Sequence, residues 1–112
     1  MSVYDTATKL ASEIRNSKEY KDFVKNMNQI KKNKKDEELL SEYKKNQYNL
    51  QYTTMNNKKI DKKSMRRMEE IQKEIRYNER IYNYLLAEEK FNLLMDNINK
   101  IIAQTIKEDY KQ

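Results

Sequence analysis

The 112-residue chain contains no glycine, proline, cysteine, histidine or tryptophan. Without Gly and Pro it lacks the residues on which most tight turns and strand corners depend, so a strand-rich fold is not expected. Without Cys there is no disulfide framework, thiolate metal site, iron–sulfur ligation or cysteine nucleophile. Without His the commonest general acid/base and metal ligand is missing. Long apolar runs are absent too: no window approaches the roughly 18 apolar residues of a membrane span, and the N-terminus has no basic-then-apolar leader. Together these absences predict an all-helical cytoplasmic protein that is not an enzyme, holds no cofactor or metal and takes no small-molecule substrate.

What the chain does have is charge: 38% of residues are charged against 37% hydrophobic, with 24 basic and 18 acidic side chains and a net charge of +6. The two signs nearly balance and the apolar residues recur at helical spacing, which predicts a thinly cored helical fold and not a disordered chain. Abundant Lys, Asn, Ile and Tyr are also what an AT-rich coding sequence produces, so the isoelectric point of 9.3 is a weak sign of nucleic-acid binding.

Five helices are legible. Ser2 caps the first, with Asp5 three residues on, and Tyr4, Ala7, Leu10, Ala11 and Ile14 form one stripe over about 3–15. Asn16 and Ser17 stop it and start a second, marked by Tyr20, Phe23, Val24, Met27 and Ile30 and ending near 33. The run Lys31-Lys32-Asn33-Lys34-Lys35-Asp36-Glu37-Glu38 suits a helix C-terminus followed by an N-terminus. Asp36 is the expected cap of a third helix, whose inward face reads Leu39, Leu40, Tyr43, Gln47 and Leu50 and which ends near Met55. After a loop at Asn56–Lys59, Asp61 caps a fourth helix following Ser64, Met68, Ile71 and Ile75. Its phase cannot be extended into Tyr84, Ala87, Phe91, Leu94, Met95, Ile98, Ile101, Ile102 and Thr105, so a break is expected at Tyr77 and Asn78, with a fifth helix over about 79–109. No repeat or linker stands out, and the expected architecture is one domain, an antiparallel bundle with a long C-terminal helix.

That last helix predicts a dimer. Some 30 residues at about 1.5 Å each would overhang a compact globule of this length. Leu85, Leu86 and Leu93 also lie well off its main stripe, and exposing them would forgo about 1.5–3 kcal/mol each. A second copy is the simplest cover, another protein would serve as well, and the alternative is that the first three helices wrap both sides.

Candidate chemistry is sparse. Glu37/Glu38, Glu69/Glu70 and Glu88/Glu89 look like acid/base couples, but neighbours on a helix diverge by about 100° and cannot share a substrate. Gln47 and Glu88 both fall at stripe positions, where a buried hydrogen-bond network or a ligand-binding pair would place them. Lys58, Lys59, Lys62, Lys63, Arg66 and Arg67 gather six cations into ten residues at a helix start, where the macrodipole disfavours them. They are either a solvated cluster or a contact for a polyanion or acidic partner; no stacking-platform or recognition-helix motif accompanies them.

Several segments in order, namely Ser2-Val3-Tyr4-Asp5, Ser17-Lys18-Glu19-Tyr20, Tyr43 with Gln47, Leu50 and Gln51, Tyr84-Leu85-Leu86-Ala87-Glu88-Glu89, and Ile98-Asn99-Lys100-Ile101-Ile102, together resemble the YlbF/YmcA/YheA family of small bacterial helical proteins, the YheA branch most nearly. The resemblance implies an antiparallel helical fold, dimerisation, a Gram-positive source and, for some members, a regulatory role in competence, biofilm formation, sporulation and messenger-RNA decay. It supplies no catalytic residue to carry over, and the cluster-binding cysteines of other branches have no counterpart here. The expected function is therefore a non-enzymatic accessory module that binds protein partners, or alternatively a weak RNA-binding factor acting through the cluster at 58–67.

Overall fold

The computed structural model describes residues 2–110 as five helices: α1 Val3–Arg15, α2 Lys18–Lys31, α3 Lys34–Met55, α4 Lys62–Arg76 and α5 Glu79–Tyr110. No strand occurs among the described residues. The described chain groups into two compact units, one holding the chain up to Asn26 together with everything from Leu85 onward, the other Met27–Tyr84. Both boundaries fall within helices, α2 and α5, not in loops.

With no Gly or Pro, every helix end depends on side chains. Ser2 and Asp5 form a reciprocal capping box: the Ser2 hydroxyl accepts from the Asp5 N–H at 3.2 Å, while the Asp5 carboxylate accepts from the Ser2 N–H. Asn16 closes α1, and the Ser17 hydroxyl accepts from the Tyr20 N–H to open α2. At the end of α3, Asn57 takes the left-handed conformation (φ 53°) that glycine normally fills. The Lys58 N–H then reaches the Thr53 carbonyl and the Asn57 N–H the Thr54 carbonyl, the paired bonds of a Schellman closure. Asp61 caps α4 by accepting from the Ser64 N–H at 2.7 Å; the Ser64 hydroxyl and then that N–H, with Lys63 alongside, hold its carboxyl below the usual range.

One cap differs from expectation. Asn33, not Asp36, caps α3 and accepts from the Asp36 N–H, and α2 stops at Lys31. Asp36 thus sits a turn inside α3 as a buried carboxylate, 3% exposed. The Arg80 guanidinium and the Asn78 amide both donate to it. The hydrogen bond from Arg80 holds the Asp36 carboxyl below the usual carboxylate range, against the opposing effect of burial and with help from Asn78. The Asn78 side-chain oxygen in turn accepts from the Ile81 N–H, so one residue caps α5 and ties it to α3 at the expected phase break.

In the Met27–Tyr84 unit, α3 and α4 pack antiparallel, Asp36 opposite Asn78 and Glu42 opposite Arg67. Leu39, Tyr43, Asn46, Leu50 and Thr53, all half-buried, are spaced four, three, four and three apart along α3, as a coiled-coil seam is, with the half-buried Glu42 at its edge. Met68, Ile71 and Ile75 continue that spacing on α4. Gln47, one position off the seam, is exposed, which corrects the expectation that it is buried with Glu88; Glu88 is half-buried. The buried core of this unit is Ile30, Leu40, Ile71, Ile75, Ile81 and Tyr84.

Two outcomes follow. Ile71→Ala, which empties a fully buried site, should cost about 2–5 kcal/mol in denaturant unfolding. Asp36→Ala should cost about 1–2 kcal/mol at neutral pH, charge-assisted hydrogen bonds being discounted because Arg80 is half exposed. Since the folded-state pKa is depressed, the advantage of the wild type is complete above the unfolded value of about 4 and shrinks as pH falls through the lowered folded value. The gap between the unfolding curves of the two proteins should therefore be smaller at pH 3 than at pH 7.

Candidate interaction surfaces

The unit built from α1, the start of α2 and α5 from Leu85 buries strikingly little. Its sole buried apolar residue among those described is Ala87, and α1 buries none. What holds it internally is a ring cluster: Phe91 of α5 stacks on Phe23 at 5.4 Å between centroids and meets Tyr20 edge-on at 5.5 Å, both from α2. Away from that cluster the stripes emerge into solvent. On α1, Leu10 and Ile14 are half-buried while Tyr4, Ala7 and Ala11 are exposed. On α5, Leu94, Met95 and Ile98 are half-buried, whereas Ile101 is 69% exposed and Ile102 and Ile106 are also open.

Sequence periodicity assigned Ile101, Ile102 and Thr105 to an inward face, and the structure leaves them uncovered. The periodicity itself is intact; nothing in the described chain lies over the last three turns. Of the three leucines expected off the stripe, Leu85 is half-buried, Leu86 is exposed and Leu93 is 58% exposed. Leu93 and Leu94, with Ala87, floor a groove of about 430 Å³ whose rim on α2 carries Lys18, Glu19 and Asp22. A wall of charged side chains over a short apolar floor suits an inserted partner side chain better than the mostly apolar lining of small-molecule sites.

The cation cluster lies in the other unit and is not uniform. Arg67 is taken: its guanidinium makes a bidentate contact with Glu42 (2.9 and 3.0 Å) and a third bond with Glu70 at 3.1 Å. Those bonds depress the Glu42 carboxyl and hold Arg67 charged. Arg67 is therefore removed from the expected contact set. Lys58 lies 5.7 Å over the Tyr52 ring. Lys59, Lys62, Lys63 and Arg66 are exposed, and no hydrogen bond or ion pair engages them among the described residues.

No constellation for catalysis assembles. Glu37, Glu38, Glu69, Glu70 and Glu89 are exposed, and among the described residues no group of three His, Cys, Asp or Glu could hold a metal ion. The buried carboxylate, Asp36, is held by Asn78 and Arg80 and is not among the residues that line the open cleft of about 510 Å³ bordered by Lys35, Leu39, Glu74, Asn78 and Arg80. Its role was missed in the sequence because its partners lie 42 and 44 residues away. No described helix is long and apolar enough to cross a membrane.

The chain is 33% identical over 102 residues to a UPF0342 protein of Halothermothrix orenii, covering 91% of this chain and 86% of that one. It is 29% identical over 111 residues to a UPF0342 protein of Pediococcus pentosaceus, covering 99% and 97%. In structure it resembles a protein of unknown function (DUF964) from Bacillus stearothermophilus, with a TM-score of 0.76 at 13% identity, covering 98% of this chain and 96% of that one. It also resembles Bacillus subtilis RicA, solved in complex with RicF, with a TM-score of 0.67 at 16% identity and 96% coverage of each. The family model described as control of competence regulator ComK, YlbF/YmcA, matches residues 3–107, and the chain belongs to that family.

Proposed function

We propose that the protein is a non-enzymatic accessory factor of the cytoplasm that acts by binding other protein chains, and that a second copy of itself covers the apolar surface of α1 and α5. The observation that carries this reading is the unit with a single buried alanine. Isolated helices of one or two dozen residues are marginal in water and depend on tertiary cover of an apolar face. Here two well-formed helices present such faces with little over them.

Area supports the same conclusion. Two compact units of half this mass would together expose about 8,000 Å², whereas the chain exposes 9780 Å². The surplus of roughly 1,800 Å² exceeds the about 800 Å² per partner of a standard protein interface. Leu86, Leu93, Ile101, Ile102 and Ile106 supply the apolar anchors, and the Leu93 groove supplies a socket. The relative of similar fold that was solved with a protein partner, RicA with RicF, favours partner binding over catalysis, and family membership favours a regulatory setting. Weak RNA binding through the cluster at 58–67 has the exposure of Lys59, Lys62, Lys63 and Arg66 in its favour.

Light scattering should give a mass twice the 13.7 kDa of the chain. Leu86→Glu with Leu93→Glu, and separately Ile101→Glu with Ile106→Glu, should halve that mass and lower helicity, because each places charge at the uncovered face. A wild type that is monomeric and fully helical would overturn the dimer, and dissociation without any loss of helicity would show that α1 and α5 need no cover.

A further inference from the structure

The four cations at the start of α4 have a structural cost that no ion pair among the described residues offsets. Lys62 and Lys63 are the first two residues of α4, whose first turn holds no acidic side chain. Cations there oppose the macrodipole. Lys62 with Arg66 and Lys63 with Arg67 are also like-charged pairs one turn apart, each of which disfavours the helix. The chain does neutralise a cation where it has acids to hand, since Arg67 receives both Glu42 and Glu70. Lys63 has the capping Asp61 beside it and Arg66 has Glu69 and Glu70 a turn further on, yet no ion pair or hydrogen bond engages Lys59, Lys62, Lys63 or Arg66 among the described residues. Placement that conflicts with local stability, without compensation inside the fold, marks a surface kept for something outside it.

Geometry defines what that something is. At about 100° per residue, Lys62, Lys63 and Arg66 occupy one sector of α4, turned away from the seam of Met68, Ile71 and Ile75, and Lys59 lies in the loop just before the helix. On the same outward side the next turn carries Glu69 and Glu70, both exposed, which close the patch after roughly two helical turns, about 11 Å. A nucleic-acid strand following the helix would run its phosphates onto those carboxylates. The exposed Tyr52 of α3 lies beneath Lys58, whose ammonium is 5.7 Å from the ring centroid, so that face of the ring is already covered, and the exposed Tyr48 lies on the stripe of α3 opposite its seam. A short acidic segment of a protein, two or three carboxylates within two turns, matches both the sign and the length.

We propose that the outward face of the first turns of α4, built from Lys59, Lys62, Lys63 and Arg66, docks a short acidic segment of a partner protein. This surface belongs to the Met27–Tyr84 unit and does not depend on how α1 and α5 are covered.

The test pits stability against binding. Lys62→Glu with Lys63→Glu in the full chain should raise the melting temperature by about 2–6 °C, because the dipole conflict is reversed and both like-charge pairs, with Arg66 and Arg67, become Glu–Arg pairs. The same variant should bind a fluorescein-labelled peptide of about ten glutamates at least about tenfold more weakly than wild type in anisotropy titrations, with the wild-type affinity falling as salt rises. Wild type should prefer that peptide to a labelled oligouridylate of equal charge. A lower melting temperature in the variant would make the cations structural and overturn the proposal. Unchanged peptide binding would overturn it as well, and tighter binding of the oligouridylate, lost in the variant, would assign the face to nucleic acid instead.

Discussion

The distribution of buried apolar surface is the constraint on which the rest of this molecule depends. Ile30, Leu40, Ile71, Ile75, Ile81 and Tyr84 collect nearly all of the core, and all lie between residues 27 and 84. The helices outside that range are as regular as those within it, yet they are tied by little more than the Phe23, Tyr20 and Phe91 rings. Hydrophobic burial is the main favourable term in folding, and these segments have little of it, which is the ground of the proposed association with another chain.

Asparagine does the work that glycine and proline do elsewhere. Asn16 closes α1, Asn33 caps α3, Asn57 supplies the left-handed residue after α3 and Asn78 caps α5. Its short amide bonds to nearby backbone groups and tolerates the left-handed region, which is why a chain without glycine can still turn. Asn78 does more than turn the chain, because its amide also donates to Asp36 and so joins the phase break between α4 and α5 to the first turn of α3. Arg80 completes that junction, leaving a buried carboxylate saturated by donors and committed to architecture, not to chemistry.

Charge is arranged along the same division between paired and unpaired. Arg67 and Glu42 lock the two arms of the α3–α4 hairpin at its surface, where such pairs contribute at most about 1 kcal/mol and chiefly fix geometry. Next to them, Lys59, Lys62, Lys63 and Arg66 are exposed and engaged by no ion pair among the described residues. The protein thus presents two surfaces of different character, one apolar and one cationic, in two separate units. Membership of the YlbF/YmcA family accords with a molecule whose features are all on its outside.

Helix number, the capping residues Ser2, Asp61 and Asn78, and the phase break at Tyr77–Asn78 were determined by the sequence alone, because caps and 3.6-residue periodicity are local and act within a turn or two. The off-stripe placement of Leu86 and Leu93 was legible for the same reason. Three things only the tertiary structure decided. Gln47 lies outside the core because the α3–α4 seam runs on a 3.5-residue spacing through Asn46, a choice made by the partner helix and not by α3. Asp36 became a buried junction because Asn78 and Arg80 meet it from more than forty residues away. Ile101, Ile102 and Ile106 stand uncovered because periodicity shows that a helix has an apolar face, and only packing shows whether anything lies over it.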